Sequence, residues 1–214
     1  MKNIGKLAVL GAVLAASASS SFAATVTIDS NSVNTILTPG LLPGPAVNLT
    51  TGLSPWSGPI GTSVWVGPEA GTSPGGGVVA PAGTYVYTDT FSDTLPSSGT
   101  ITVLADDTTD VYLNGNLIVG EAANVPGIHC TVGTPNCMTA TTYSLAAVDF
   151  LSGSNVLKFD VQQLYGSATG LDYEASITES TVPEPSSLML LGTGLVGAAG
   201  MFFRRRLTAQ PLIS

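Results

Sequence analysis

Positive charge is what this 214-residue chain has least of. Six lysines and arginines stand against fourteen aspartates and glutamates, and Lys2, Lys6, Arg204, Arg205 and Arg206 all lie in the terminal segments. Between residues 24 and 182, thirteen carboxylates face Lys158 alone, a net charge of −12. A surface of that sign repels nucleic acid and anionic lipid, which makes both poor partner candidates for this segment. One histidine, His129, is too few for a His-rich zinc centre. The chain carries no P-loop, no dinucleotide glycine pattern and no G-x-S-x-G elbow. No internal repeat points to a solenoid or propeller.

What the chain does have is organised in three parts. The N-terminus places Lys2 and Lys6 before an apolar stretch from Leu7 to Ala16, and Ser21-Phe22-Ala23 supplies a small-x-small cleavage pattern. Residues 1–23 therefore read as a signal peptide, removed by signal peptidase after Ala23. Ten apolar residues are too few to span a bilayer as a stable helix. At the other end, Leu188 to Phe203 is sixteen residues without charge, followed by Arg204 to Arg206 and a tail, 207–214. As a helix that run is about 24 Å long, so flanking serines and snorkelling arginines must help it cross a core of about 30 Å. A single transmembrane helix with the arginines on the cytoplasmic side is the expectation.

The segment between, 24–182, is long enough for one domain with a real core. Glycine, serine and threonine are abundant and strong helix formers scarce, which favours strands and turns. Residues 24–82 hold only short apolar runs, and Ser73 to Gly83 is a loop by composition. From there the pattern sharpens. Thr84 to Phe91 is rich in aromatic and β-branched residues, and Ile101, Val103 and Ala105 share one face of the next strand. Asn114-Gly115 supplies the two positive φ angles of a type I′ hairpin. Leu157, Phe159 and Val161 alternate with Val156, Lys158 and Asp160, and Gly170 to Ile177 repeats the scheme. Eight or nine short strands, with a short helix or turn near Leu145–Asp149, predict an all-β antiparallel sandwich of jelly-roll type.

Pro183-Glu184-Pro185, then the apolar helix 188–203, then Arg204, Arg205 and Arg206, together resemble the PEP-CTERM sorting signal over 183–206. That resemblance implies processing by an exosortase, a membrane-embedded transpeptidase of Gram-negative bacteria. It also implies association with exopolysaccharide in biofilm or floc matrix. The helix is then a temporary handle that holds the protein in the inner membrane until cleavage near the motif. The tail after the arginines is longer than such signals usually carry. The ectodomain, best defined over 65–178, resembles galactose-binding-like β-sandwich domains through "APAGTYVYTDTF", "ADDTTDVYLNGNLI" and "FLSGSNVLKFDVQQLYGSATGLDYEASI".

Few residues invite a chemical role. Cys130 and Cys137 enclose six residues, and in an oxidising compartment two lone cysteines pair. A nucleophilic cysteine served by His129 is disfavoured, because adjacent residues of an extended chain point to opposite faces. Asp106, Asp107 and Asp110 offer oxygen ligands suited to calcium, or they satisfy turn amides. Trp56 and Tyr165, in loops, are the candidate sugar-stacking contacts, whereas Trp65 sits in strand-like sequence and belongs to the core. No two of the thirteen carboxylates stand out as a glycoside-hydrolysing pair. The sequence therefore predicts an exported, non-catalytic surface or matrix protein that contacts polysaccharide. The alternatives are a self-associating coat protein or adhesin and, less favoured, a secreted glycan-active enzyme.

Overall fold

The computed structural model describes residues 24–38, 45–50, 54–93, 98–123, 130–179 and 187–208. The expected signal peptide, His129 and Pro183-Glu184-Pro185 lie outside them. Within them the chain forms two antiparallel sheets. The first joins β1 (Thr25–Asp29), β3 (Val47–Asn48), β4 (Val66–Gly67), β6 (Ser98–Asp106), β9 (Thr141–Leu145) and β11 (Gly170–Thr178). Its order is β3-β4-β11-β6-β9, with β1 also paired to β11. The second runs β2 (Ile36–Leu37), β5 (Gly83–Asp93), β10 (Gly153–Gln163), β7 (Thr108–Leu113) and β8 (Asn116–Val119).

Alternation builds the interior as the sequence predicts. Along β10 the residues are buried at every second position, with Leu157, Phe159 and Val161 inside. From the other sheet come Ile101, Val103, Ala105, Tyr173, Ala175 and Ile177, all buried in the same core. Phe159 stacks on Tyr173 across the gap, ring centroids 4.4 Å apart, which joins the two sheets at their centre. Each fully buried valine, leucine, isoleucine or phenylalanine among them is worth about 1.5–3 kcal/mol. The hairpin forms at Asn114-Gly115, with φ of 53° and 86°, and a single 3-10 turn, Ala147–Asp149, follows β9.

Two features differ from the sequence reading. Eleven strands are present among the described residues rather than eight or nine. The additional ones, β2, β3 and β4, are two residues long and come from the Gly- and Pro-rich stretch before residue 82, where no alternation can be read. The outer face of the first sheet is also divided. Towards one end it carries a row of hydroxyl residues, Thr27, Ser176, Thr100 and Ser144, in register across four strands. Towards the other, Leu104 is buried on the outer side, beneath Leu49, Trp56, Trp65, Cys130 and Cys137. Loops close over that end and make a second, smaller apolar cluster.

Ala23–Ser180 is one compact unit, and the C-terminal segment belongs to another. That segment contains helix α1, Ser187–Thr208. Among the described residues, no helix is long and apolar enough to cross a membrane. Gly192, Gly194, Gly197 and Gly200 punctuate the apolar run of α1, and Arg204 to Arg206 lie in its last turns.

Candidate functional site

The loop-covered end of the sandwich is built around the passage from β6 to β7, where the chain leaves one sheet for the other. Asp106 ends β6 and Asp107 is the link between the strands. Both are buried, at 1% exposure each. An isolated buried carboxylate is strongly unfavourable, so their partners decide what they are for.

Asp107 is a clamp. Its Oδ1 accepts from the Cys130 backbone N–H (3.1 Å) and its Oδ2 from the Leu164 N–H (2.8 Å). Its own N–H donates to the Gln162 carbonyl (2.9 Å), and its carbonyl accepts from the Thr131 N–H (3.3 Å). One residue thus ties the loop beginning at residue 130 to the turn that follows β10. Thr108 extends the tie, donating to the Pro135 carbonyl and accepting from the Ala122 N–H, both at 2.8 Å.

Asp106 is differently placed. Its Oδ2 accepts from Trp56 Nε1–H at 2.6 Å, while its Oδ1 is buried without a hydrogen-bond partner. Burial pushes this carboxyl up to about 8; the indole N–H opposes the rise and the neighbouring Asp107 charge adds to it. Burial thus favours the neutral acid of Asp106, which donates as well as accepts.

Trp56 is therefore not an exposed stacking platform. It is 6% exposed and stacks on Trp65, centroids 4.1 Å apart and planes 19° from parallel. It packs over Gly170, where an added Cβ would lie 2.6 Å from the indole, and its N–H has found a carboxyl. The pairing of Pro55 with Ser57 around Trp56 reads as a rim loop, but the chain folds back onto the sheet because Gly170 leaves room for a ring. Trp65 is fully buried, as expected, and donates to the Ser57 carbonyl at 3.1 Å. Cys130 and Cys137 form a disulfide, Cα atoms 5.2 Å apart, inside the same cluster. Tyr165 is the loop aromatic that does face outward, at 42% exposure.

The three aspartates do not form one ligand set. Asp110 lies on the outer face of the second sheet opposite Asp160, where its Oδ1 accepts from the Glu121 N–H at 2.7 Å. Both oxygens of Asp107 are already taken by backbone donors. Among the described residues, the acidic, His or Cys side chains that converge in threes are Asp106 with Cys130 and Cys137, and disulfide sulfurs are not the thiolates that metals bind. Backbone N–H groups from distant segments occupy both oxygens of Asp107, the turn-satisfying role the sequence also allowed.

Sequence reasoning missed Asp172. On the outer side of β11, its Oδ1 accepts from the hydroxyls of Ser30 (3.0 Å) and Ser63, and its Oδ2 from the Ile60 N–H (3.1 Å). It fastens the Trp-bearing loop to the sheet. No local signal marks it, since its partners stand 109 to 142 residues away.

Beside Asp106 opens a cleft of about 400 Å³, lined by Pro55, residues 73–75 and 77–79, Asp106, Ser167 and Ala168. Its size falls within the range of about 300–1,000 Å³ typical of small-ligand sites. Its walls are tied to each other: Thr169 N–H donates to the Thr72 carbonyl (2.9 Å), and Ala80 and Ser167 exchange backbone hydrogen bonds at 2.9 and 3.3 Å.

Of the C-terminal residues singled out in sequence, Arg204 lies in α1, and the side chains of Arg205 and Arg206 are outside those described. The PEP-CTERM protein-sorting motif matches residues 181–206. No curated protein matches the chain. Solved structures similar to it include a family 35 carbohydrate binding module from Clostridium thermocellum, 12% identical at TM-score 0.37 over 72% of this chain and 99% of that one. Another family 35 module, from Paenibacillus barcinonensis, is 17% identical at TM-score 0.36, with the same coverage. The adhesin domain of Lys-gingipain from Porphyromonas gingivalis is 14% identical at TM-score 0.32, over 75% of this chain and 95% of that one.

Proposed function

We propose that the chain is exported, sorted through its C-terminal segment by an exosortase, and left at the cell surface or in the extracellular matrix. There the sandwich contacts extracellular polysaccharide without doing chemistry on it. The observation that carries the reading is the sorting motif at 181–206, joined to a compact β-sandwich that ends just before it. The disulfide suits the oxidising compartment that export supplies. The non-catalytic part of the reading is supported by the buried carboxylates: Asp107 and Asp172 are held by backbone and hydroxyl donors that position loops.

Helix α1 acts as a handle that keeps the substrate at the membrane until cleavage. With a short apolar run, the handle depends on its arginines remaining on the cytoplasmic side. Replacing Glu184 by Ala, or Arg204, Arg205 and Arg206 together by Ala, is expected to leave full-length protein in the membrane fraction. Immunoblots of membrane and extracellular fractions measure this. Normal processing of both variants would overturn the sorting reading.

The polysaccharide reading has its own test. Purified 24–182 is expected to bind the host's extracellular polysaccharide saturably in a pull-down or calorimetric titration. Repeating the titration with calcium and with chelator measures any dependence on the ion. Absence of binding under both conditions would leave the sandwich as architecture alone.

A further inference from the structure

At the loop-covered end of this acidic domain, the described loops present no charge to solvent. Four described segments meet there, 54–63, 70–82, 130–140 and 164–169, and none contains Asp, Glu, Lys, Arg or His. The carboxylates beneath them, Asp106 and Asp107, are buried. Glu69 and Glu121 stand at the feet of the loops, outside these segments. Hydrogen bonds join the segments into one rim. Asp107 accepts from the N–H groups of Cys130 and Leu164, and the Ser57 N–H donates to the Cys137 carbonyl at 2.9 Å. Ala80 and Ser167 close the circuit with their paired backbone bonds.

Apolar side chains stand out from this rim. Val79 is 66% exposed, Val132 63%, Met138 48% and Tyr165 42%. Val79 and the Tyr165 turn adjoin, since a Cβ at Gly166 would lie 3.3 Å from the Val79 side chain. Apolar groups gathered on one surface mark an interaction site, where the same groups scattered singly do not. Tyrosine and methionine are enriched in the cores of protein–protein interfaces. The tryptophans, on which a sugar ring stacks best, are both buried beneath the loops.

Charge selects the occupant. Over 24–182 the net charge is −12, so two copies repel wherever their carboxylates approach. The outer face of the first sheet sets Asp29 opposite Glu174, and that of the second sets Asp110 opposite Asp160. Copies meeting through either face would bring like charges together. The rim is free of that penalty. It also lies away from the point where the chain leaves for the sorting segment. Strand β11 starts at Gly170 beside Asp106 and ends at Thr178 beside Ser98, roughly 27 Å further on at about 3.4 Å per residue.

We infer that the rim is a contact between two copies of this chain, joined end to end through the same residues on each. A contact of that symmetry closes at two. Both C-terminal exits then face outward, so the pair links two separate points of attachment. The inference is independent of the polysaccharide reading.

The test is sedimentation equilibrium of purified 24–182, the compact unit, at concentrations up to about 1 mM, the weak end of specific affinity. Val132→Glu and Met138→Glu each place a charge on the rim from an exposed position. Val148→Glu places the same charge beyond β9, at the other end, where the residue is 85% exposed. Thermal unfolding checks the fold of each. The expected result is a monomer–dimer equilibrium, at least tenfold weaker in both rim variants and unchanged in Val148→Glu. A wild type that stays monomeric would overturn the pairing. So would equal weakening by Val148→Glu, which assigns the effect to net charge, or a dimer indifferent to both rim variants. A monomeric wild type whose polysaccharide binding is lost in Val132→Glu would give the rim to the polysaccharide instead.

Discussion

Asp107→Ala is expected to destabilise the sandwich by about 1–4 kcal/mol, since it strands the buried N–H of Cys130, at about 1–3 kcal/mol, and the part-buried N–H of Leu164, which costs less. Those groups belong to Cys130 and Leu164, which the carboxylate joins across the β6–β7 passage. A domain is typically stable by only about 5–15 kcal/mol, so the variant is expected to be marginal. The disulfide survives the change but no longer has its loop anchored at Cys130. Asp107→Asn is expected to fall between, keeping one acceptor while setting an amide group against the other N–H. Equilibrium unfolding in urea measures the series. A loss below about 1 kcal/mol for the alanine variant, within the range of an ordinary surface substitution, would mean that water replaces the clamp.

The second large effect concerns pH. The ectodomain is expected to be more stable near pH 5 than at pH 9, and Asp106→Asn to remove most of that difference. Folding raises the Asp106 carboxyl from an ordinary 3.8 to about 8, by burial first. The folded state therefore holds a proton that the unfolded state releases. The stabilising contribution is complete below about pH 4, declines as pH rises through neutrality, and is gone above about pH 8. Each unit of such a difference corresponds to about 1.4 kcal/mol, so the slope amounts to a few kcal/mol in order of magnitude. Asp89 and Asp172 are shifted upward by burial too and add to the slope with the same sign. Asparagine preserves an acceptor for Trp56 Nε1 and has no charge to bury. Urea titrations of both proteins at pH 5, 7 and 9 give the comparison, and parallel profiles would refute the assignment of the slope to Asp106.

The strands with local signals were legible in the sequence. Leu157, Phe159 and Val161 announce their face by alternation, and Asn114-Gly115 announces its turn by the dihedral angles it permits. The apolar run and the arginines of the C-terminal segment are likewise matters of composition, which is why the motif at 181–206 could be read without a fold. The candidate site is another matter. Trp56 and Asp106 are 50 residues apart, and Asp172 and Ser30 are 142 apart. Burial of each member is decided by the other, so neither alone carries a mark. An aspartate pair in a turn reads as solvent-exposed by type, and here the chain crosses between sheets at that point and encloses it. The two-residue strands fall below the length at which a period of two can be recognised.

The register of β1 on β11 sets Thr25 opposite Thr178, and the Glu179 N–H reaches the Ala24 carbonyl at 2.9 Å. The first and last residues of the sandwich therefore leave from the same corner. The strand that leads to the sorting segment is also an interior one, flanked by β6 along Gly170–Thr178 and by β1 and β4 on its other side. Inter-strand hydrogen bonds of an antiparallel pair lie across the strand direction. Tension arriving through residue 179 is thus directed along β11, at right angles to the bonds on both flanks. It meets them in shear, where many must yield together, rather than one after another as in a peeled edge. A domain hauled or held by its tail is, by this placement, gripped through a strand that is paired on both sides.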